Sequence, residues 1–544
     1  MTEKTYRIDI EGGAAVRARP GDTLLEVAAE AGLEVSADCG GAGTCGKCRA
    51  RAGGLLEPPS DAERKLLSAR EIESGVRLAC QARISGDAGA VFEGNAVSSE
   101  ITDFCMEYEP PDSGRGHAPD SERGFGLAID IGTTTLNARL VDLETGRAAA
   151  SAASANPQRI YGADVASRLS FAVSGGLGAL RSGLRRRVSR MVEWLAERGG
   201  VEAGAAKRSI VVGNPTMLSV FFGYDPSGIG AAPFTPPFTG TAAALARELG
   251  IPAAEGAVAE TLPVVAGYVG ADAVSAALRA GLHRPGGPRL MIDLGTNAEM
   301  VLAAGGEIWA CAAAAGPAFE GAHISCGSTA REGAVDTVML SEDGTLAVGT
   351  IGGAAPEGLC GTGLIDALAV LLDSGALAAS GRLTAPEDGP IADRLSGGDL
   401  GSQPEFHIVR PGEMGARRPV SITQQDIREA QLAKGAILAG AETLMAAAGV
   451  DAASLEAVYL AGALGYSLNS KSAIRIGLLP GARPEIVKFI GNAALDGAAD
   501  ALVSAKARED ARLLGDSIRY FELSSAPGFA DRFAAAMAFP ANLH

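Results

Sequence analysis

Four cysteines in the first eighty residues constrain this chain more than any other feature. Cys39, Cys45 and Cys48 follow the spacing C-x5-C-x2-C in a loop with four glycines, and Cys80 comes after 31 further residues. A close trio with one distant partner is typical of the thiolates that hold a [2Fe-2S] cluster, and the spacing adds one residue to the plant-type C-x4-C-x2-C pattern. Glycines let backbone amides approach the sulfides, because no side chain stands in the way.

A structural zinc site also uses four cysteines and is the alternative for this stretch. Zinc ribbons and fingers supply their ligands as two close pairs, whereas this chain supplies three and one. The pattern therefore favours an iron–sulfur cluster. Four further cysteines, Cys105, Cys311, Cys326 and Cys360, lack the spacing of metal ligands. We expect Cys105 to be an incidental thiol and the other three to be small buried thiols.

Length and charge exclude several classes of protein. The chain has 544 residues, too many for one core, and the 47% of apolar residues is enough to fill three or four structural units. A net charge of -17 argues against nucleic acid or an anionic membrane as a partner. The N-terminus has no apolar signal segment, and no uncharged apolar run reaches the roughly 18 residues that span a bilayer. We therefore expect a soluble, cytoplasmic protein.

The first 94 residues contain a strand hairpin, a helix, the cysteine loop, a second helix and a closing strand. Tyr6–Ile10 and Val16–Ala18 form the hairpin. The capping boxes Thr23-x-x-Glu26 and Ser60-x-x-Glu63 predict the two helices, the second of which runs to Arg70. This order resembles the β-grasp ferredoxins. The resemblance implies a one-electron carrier of low potential, for which roughly -400 mV is usual in the plant type.

Residues 95–123 separate this first domain from the rest of the chain. Periodicity disappears there and the composition turns to proline and glycine, which is typical of a linker. A loose tether would let the cluster domain swing between an electron donor and an acceptor, whereas a strap would pack on the next domain. The sequence leaves both open.

Two later segments repeat one pattern, a strand followed by a D-x-G-T turn and a second strand. The first strands are Phe125–Asp130 and Leu290–Asp293, and the repetition indicates a duplicated unit. A turn with glycine and hydroxyl residues offers amides to a phosphate, and an aspartate can hold Mg2+ through water. Two such turns predict one polyphosphate site formed by Asp130, Gly132, Thr133, Thr134, Asp293, Gly295, Thr296 and Asn297.

A third motif follows at Ala457–Gly465, a strand that runs into a glycine-rich turn against which an adenosine could lie. The three motifs in this order resemble the superfamily of acetate and sugar kinases, heat-shock chaperones and actin. The resemblance implies ATP binding, with Gly462, Ala463 and Gly465 at the adenosine. It also implies an α/β multidomain fold in which the β-grasp ferredoxin precedes a two-lobed, duplicated ribonuclease-H-like ATPase. The predicted boundaries are residues 1–94 for the ferredoxin, 95–123 for the linker, 124–285 for lobe I and 286–544 for lobe II.

The cysteines and several later segments together resemble one family, the reductive activators of corrinoid proteins. The similar segments are Ala128–Thr135, Gly316–Gly321, Thr423–Arg428, Gln431–Gly435 and Phe521–Pro540. The resemblance implies an iron–sulfur enzyme that hydrolyses ATP and reduces an inactive Co(II) corrinoid to Co(I) through the cluster. The implied partners are a corrinoid protein of a methyltransferase system and an unidentified low-potential reductant, and the chain could act as a homodimer.

In this hypothesis Cys39, Cys45, Cys48 and Cys80 hold the cluster. The catalytic candidates are the two turn aspartates, Asp130 and Asp293, and Glu320. Glu320 lies shortly after the second turn, where it would position the attacking water or else serve a structural role.

The proposed reaction needs an electron of low potential. For a one-electron couple each 59 mV is a tenfold factor, so an unfavourable gap of about 120 mV leaves only about 1 per cent of the cobalt reduced. ATP can change this only by binding one state of the complex better than another. Two other functions fit the same motifs. One is an ATP-driven electron donor to another acceptor, such as a dehydratase or a ring reductase, and the other is a redox-regulated small-molecule kinase or switch.

Overall fold

The computed structural model describes the chain except at residues 1–4, 11–14, 32, 36, 38–40, 93–95, 99–100, 104–107, 112–116, 121, 163, 386–388, 398–402, 463–467, 482 and 542–544. The chain divides into two units, residues 1–272 with 498–509, and residues 273–497 with 510–544. The first unit contains an N-terminal domain and a second domain from residue 101 onward, which we call lobe I. The second unit is lobe II.

The N-terminal domain is a five-stranded β-grasp sheet with short helices. Its elements are β1 (Tyr6–Ile10), β2 (Val16–Ala18), α1 (Leu24–Glu30), β3 (Leu33–Val35), β4 (Arg49–Leu56), α2 (Asp61–Leu66), α3 (Ala69–Glu73), β5 (Val76–Leu78), β6 (Ile84–Val91) and β7 (Ala96–Ser98). The strand order is β2-β1-β6-β4-β5, in which β1 and β6 are parallel and the other neighbours antiparallel. β3 pairs with β7 apart from this sheet. The predicted β-grasp fold is confirmed.

Both predicted capping boxes are present, but the second helix is shorter than expected. The Thr23 hydroxyl accepts from the Glu26 N–H, and the Glu26 carboxylate accepts from the Thr23 N–H at 2.8 Å. The prediction of one helix to Arg70 is wrong, because α2 ends before Leu67 and a further capping box begins α3. Leu67 adopts an extended conformation and is only 4% exposed, so the helix breaks where this side chain enters the core.

Lobe I is built on a seven-stranded sheet. Its elements are β8 (Thr102–Asp103), β9 (Phe125–Ile131), β10 (Thr135–Asp142), β11 (Ala148–Ala155), α4 (Val165–Phe171), α5 (Leu177–Gly199), β12 (Ala206–Gly213), α6 (Pro215–Phe222), β13 (Ala243–Leu245), β14 (Val258–Thr261) and the start of α7 (Ala271–Arg279). The strand order is β13-β14-β12-β9-β10-β11-β8. The apolar run of β9 is buried almost throughout, as expected for a central strand covered on both faces.

The described parts of the linker pack along lobe I. β8 adds to the edge of the sheet beside β11, and Asp103 pairs with Arg198 at 2.7 Å. The Asp120 N–H donates to the Val503 carbonyl at 2.9 Å, and the Asp120 carboxylate accepts from the Ala505 N–H at 2.8 Å. Of the two alternatives that the sequence leaves open, these contacts favour the strap over the loose tether.

Lobe II is built on a six-stranded sheet with smaller sheets beside it. Its elements are β15 (Arg289–Leu294), β16 (Ala298–Ala304), β17 (Glu307–Ala313), β18 (Ala334–Leu340), β19 (Leu346–Thr350), β20 (Gly358–Leu359), α8 (Gly361–Asp373), β21 (Leu395–Ser396), β22 (Glu405–Val409), β23 (Val420–Thr423), α9 (Gln424–Ala447), β24 (Ala457–Ala461), α10 (Ser470–Arg475), β25 (Val487–Phe489), β26 (Ile518–Tyr520) and α13 (Phe529–Ala536), together with the start of α11 (Ala493–Val503) and the end of α12 (Ala505–Ser517), whose residues 498–509 belong to the first unit. The main strand order is β25-β24-β15-β16-β17-β26.

The two lobes share one topology. In lobe I, β9, β10 and β11 form an antiparallel meander, β12 runs parallel to β9, and β14 runs parallel to β12. In lobe II, β15, β16 and β17 form the same meander, with β24 parallel to β15 and β25 parallel to β24. The duplicated, two-lobed fold that the repeated D-x-G-T turns predict is therefore confirmed.

Candidate functional site

The cysteine loop lies between β3 and β4 and meets the segment that follows β5. Cys48 and Cys80 are buried, with their sulfurs 3.3 Å apart, and Cys45 is half-buried. The Ala79 N–H donates to the Cys48 carbonyl at 2.7 Å, which holds the two ligand segments together. Two sulfurs on one tetrahedral metal with bonds of about 2.3 Å lie about 3.7 Å apart, so a small separation of these two sulfurs would let them bind one iron of the predicted cluster. Cys39 lies outside the described residues.

A buried ion pair anchors the strand that delivers Cys80. Glu63 is fully buried, and its two carboxylate oxygens accept from Arg77 Nε at 2.7 Å and Nη2 at 3.0 Å. The same carboxylate accepts from the Leu78 N–H at 3.0 Å. Burial alone would raise the pKa of Glu63, but the hydrogen bonds from Arg77, Ser60 and Leu78 lower it below its usual value. The sequence assigns Glu63 only a capping role, and its partner could not be read from spacing.

Three amide side chains surround the D-x-G-T turn that begins at Asp130, which we call the lobe I turn. Asp130 is 8% exposed near the end of β9, and Asn137 stands opposite it in the register and donates to it at 3.4 Å. Asn214 Nδ2 donates to Thr133 Oγ1 at 3.0 Å, and Asn156 Nδ2 donates to the Gly132 carbonyl at 2.8 Å. Each of these three contacts comes from a neutral amide group.

Asn214 has a second role that fixes its orientation. Its side-chain oxygen accepts from the Met217 N–H at 3.0 Å and so caps α6, while its nitrogen faces Thr133. An asparagine before a proline at a helix start is a recognisable N-cap signal, but the sequence does not show that this asparagine contacts the lobe I turn.

Carboxylates surround the lobe II turn instead. Thr296 Oγ1 donates to Glu320 Oε1 at 2.9 Å, so the structure brings two of the predicted site residues together. Glu299 stands directly opposite Asp293 in the antiparallel register of β15 and β16, and it is only 9% exposed. Sequence reasoning missed Glu299, although an acidic residue inside the apolar run of β16 was a usable signal.

The glycine-rich turn after β24, which the sequence predicts to contact adenosine, begins at Gly462. At this residue it lies against the D-x-G-T turn that begins at Asp293, the lobe II turn. This glycine has φ +96°, and a Cβ placed there would lie 2.4 Å from the Leu294 carbonyl and 2.9 Å from Asp293 Oδ1. Only glycine allows β24 to end so close to the aspartate. Two further predicted contact residues, Ala463 and Gly465, lie outside the described residues.

Models of known families match three stretches of the chain. The 2Fe-2S iron-sulfur cluster binding domain matches residues 8–85, the RACo middle region matches residues 125–285, and the C-terminal domain of RACo, the ASKHA domain, matches residues 288–544. The chain is also 31% identical over 414 residues to the corrinoid activation enzyme RamQ of Eubacterium limosum, which covers 75% of this chain and 69% of the relative. The chain belongs to the RACo family.

Two further comparisons agree with this RACo family assignment. The chain is 30% identical over 416 residues to the Co(II) methylated amine-specific corrinoid protein reductase of Methanosarcina barkeri, which covers 71% of each protein. A solved structure described as a reductive activator for corrinoid, iron-sulfur protein matches 98% of both chains with 30% identity and a TM-score of 0.70. In the described part of this RACo family member, each helix is too short or too polar to span a bilayer.

The remaining described thiols of this RACo family member lie in lobe II, where Cys311 and Cys360 are buried and Cys326 is half-buried. Burial raises the pKa of Cys311, and the nearby Glu299 raises it further. Burial likewise raises the pKa of Cys326, and the buried Cys360 contacts the Val335 carbonyl at 3.3 Å. Burial therefore disfavours the thiolate, the form that binds metals, at Cys311 and Cys326. Cys105 lies outside the described residues.

Proposed function

We propose that this protein is an ATP-dependent reductive activator of a corrinoid protein. It passes one electron through a [2Fe-2S] cluster to an inactive Co(II) corrinoid, which becomes Co(I), while ATP and water become ADP and phosphate. One observation carries the proposal. The chain combines a β-grasp domain, in which two cysteine sulfurs lie 3.3 Å apart, with a duplicated two-lobed fold, and it matches corrinoid-activating relatives over most of their length.

In the N-terminal domain the four cysteines Cys39, Cys45, Cys48 and Cys80 would hold the cluster. The bound cluster supplies reversible one-electron transfer. The chain contributes the geometry, since the Glu63–Arg77 ion pair fixes β5 and the Ala79–Cys48 hydrogen bond joins the two ligand segments. A rigid ligand frame favours fast electron transfer, because little has to move when the charge changes.

In lobe I, the turn at Asp130, Gly132, Thr133 and Thr134 would bind ATP phosphates. Its amides and hydroxyls offer donors, and Asn214 orients the Thr133 hydroxyl at 3.0 Å.

In lobe II, Asp293 would hold Mg2+ beside the phosphates, while Gly295, Thr296 and Asn297 would offer further phosphate contacts. Glu320, fixed by its hydrogen bond from Thr296, would accept a proton from the attacking water. Adenosine would lie at Gly462, Ala463 and Gly465.

ATP can help electron transfer only if it binds one state of the complex better than another. A tenfold preference compensates for 59 mV of unfavourable potential in a one-electron step. We propose that ATP binding favours the complex in which the corrinoid accepts the electron, and that hydrolysis releases the partner. The partner would be a corrinoid protein of a methyltransferase system, the electron would come from a low-potential reductant, and the protein would work as a homodimer.

An anaerobic reduction assay tests the proposal. The reconstituted full-length protein, a chemical reductant and a purified corrinoid protein in its Co(II) state are mixed with and without MgATP, and the absorbance of Co(I) is followed. We expect Co(I) to form at least tenfold faster with MgATP. Equal rates with and without nucleotide, or a failure to bind ATP, would contradict the proposal. Reduction of a dehydratase or ring reductase in place of the corrinoid protein would favour the alternative acceptor.

A further inference from the structure

Gln81, the residue after Cys80, reaches across the cysteine loop with its side-chain amide. Its Nε2 donates to the Gly41 carbonyl at 2.8 Å, and the same nitrogen lies 3.6 Å from Cys80 Sγ and 3.4 Å from the Cys80 carbonyl. The amide therefore joins the loop that carries three ligands to the segment that carries the fourth. No motif in the sequence marks this residue.

The backbone of the loop is shaped to receive this side chain. Gly43 has φ +70°, and a Cβ placed there would lie 2.9 Å from Gln81 Cδ and 3.0 Å from Nε2. Any other residue at this position would therefore push the amide away. The Gln81 main-chain N–H donates to the Leu78 carbonyl at 2.8 Å, which fixes the start of the side chain.

The chemistry of the neighbours settles which way the amide faces. A carbonyl oxygen and a thiolate are both acceptors, so only the NH2 end of the amide can face them. That end has two protons: one can serve the Gly41 carbonyl, and the other can be shared between Cys80 Sγ and the Cys80 carbonyl. A thiolate that binds iron is a better acceptor than a thiol, so this N–H···S contact is strongest when the cluster is present.

We propose that Gln81 is a positioning residue that sets the reduction potential of the cluster through its hydrogen bond to Cys80 Sγ. Reduction adds one negative charge to the cluster and its thiolates. A donor aimed at a ligand sulfur stabilises that charge, and hydrogen bonds to the sulfurs are among the factors that set the potential of an iron–sulfur site. The proposal rests on the proposed cluster, and it adds the residue that adjusts its potential.

Redox titration of the reconstituted full-length protein, followed by the electron paramagnetic resonance signal of the reduced cluster, tests the proposal without ATP or corrinoid protein. Gln81→Met keeps the length of the side chain and removes the donor. At an ambient potential equal to the wild-type midpoint, we expect the ratio of reduced to oxidised cluster to fall about tenfold, a shift of about 59 mV to more negative potential. Gln81→Glu keeps the shape but places a negative charge at the sulfur, so the ratio should fall further.

Arg83→Met is the matched control. Arg83 lies two residues further on and donates to the Gly21 carbonyl at 2.8 Å, away from the cysteine loop, and its loss changes the net charge by the same amount as Gln81→Glu. We expect this control to change the ratio less than threefold. A purely structural role for Gln81 would lower the cluster content and leave the midpoint unchanged.

Two results would overturn the proposal: a Gln81→Met midpoint equal to that of the wild type, or equal shifts in Gln81→Glu and Arg83→Met. If Gln81→Met holds no cluster, the midpoint shift of the isosteric Gln81→Glu is compared with that of Arg83→Met, and this comparison decides the question. A wild-type protein that forms no [2Fe-2S] cluster would instead contradict the proposed function, so the two failures are distinguishable.

Discussion

The two D-x-G-T turns share a fold and a sequence but not their surroundings. In lobe I, Asn137 faces Asp130 and Asn214 donates to Thr133. In lobe II, the residue opposite Asp293 is Glu299, and the turn threonine, Thr296, donates to a carboxylate. The two turns are similar in sequence, but these neighbours are amides in lobe I and carboxylates in lobe II.

Under the proposed function, this difference would give the two lobes unequal tasks. Like charges directly opposite each other on neighbouring strands are destabilising, and the half-buried Asp293 and the buried Glu299 stand in this relation. A divalent cation removes the repulsion, and carboxylates are the ligands that Mg2+ prefers. We infer that lobe II holds the metal and activates water, whereas lobe I binds and orients phosphate.

The largest effect is expected at Asp293, the proposed Mg2+ ligand. Asp293→Asn should lower the rate of ATP hydrolysis about 1,000-fold, because under the proposed function it would remove a metal ligand beside the charge that develops on the phosphate. It should also raise the Mg2+ concentration needed for half-maximal hydrolysis.

The counterpart in lobe I, Asp130→Asn, serves as the comparison for that variant. We expect the fold-loss in hydrolysis rate to be about ten times smaller for Asp130→Asn than for Asp293→Asn. The Mg2+ concentration needed for half-maximal hydrolysis should stay unchanged, because Asp130 faces an amide. Steady-state assays at several Mg2+ concentrations measure both. Equal losses and equal Mg2+ shifts in the two variants would show that the lobes share the metal.

Glu320 tests whether lobe II also activates water. Glu320→Gln keeps the contact with Thr296 but cannot take a proton, so we expect hydrolysis to fall about 100-fold while the Kd for ATP changes less than threefold. Single-turnover hydrolysis and equilibrium nucleotide binding measure the two quantities. Glu357→Gln, at an exposed ion pair with Arg331, is the matched control and should leave both within twofold. An unaffected hydrolysis rate in Glu320→Gln would assign this residue to the structural role.

Both lobes contain buried cations that bind neighbouring segments, but their chemistry differs. In lobe II, Lys434 is fully buried and donates to the Ala536 and Ala538 carbonyls, which holds the C-terminal segment on α9. In lobe I, the buried Arg187 donates to Ser154 Oγ at 2.6 Å. An ammonium titrates within the accessible pH range, whereas a guanidinium keeps its charge.

Lys434→Met should lower the free energy of unfolding by about 2 kcal/mol, because two buried carbonyls lose their donor. Burial lowers the pKa of Lys434 to about 8, below its ordinary value of 10.5, so between these values the unfolded chain binds the proton and the folded chain does not. The free energy of unfolding of the wild type should therefore rise with pH in this window, by at most about 1.4 kcal/mol per pH unit, and be flat below it. Denaturant unfolding at pH 7 to 10 measures this, and the difference between wild type and Lys434→Met should grow with pH. A constant difference would contradict the buried, titrating ammonium.

Features formed by residues close together in the sequence could be predicted, whereas contacts between residues far apart in the sequence could not. The cysteine spacing, the Thr23–Glu26 capping box and the two aspartate turns are local patterns, and the β-grasp and duplicated folds follow from them. Glu299 was missed because its position opposite Asp293 depends on strand register. Gln81 was missed because its contact with Gly41 spans 40 residues. Long-range pairing, which no local period encodes, decides which polar side chains meet at a site.

Substitution of Asn214 is expected to give the smallest effect, and it tests most selectively whether the two lobes have different tasks. It lies 81 residues from Thr133, and its side chain both caps α6 and orients the threonine hydroxyl. Asn214→Ser keeps a helix cap but is too short to reach Thr133, so we expect the Kd for ATP to rise about tenfold while the rate of hydrolysis at saturating ATP stays within threefold. Asn214→Ala removes the cap as well, and its additional loss of thermal stability separates the structural part from the binding part. A fall in the saturated rate of hydrolysis in Asn214→Ser, with unchanged affinity, would place lobe I in the chemical step and remove the division of tasks between the lobes.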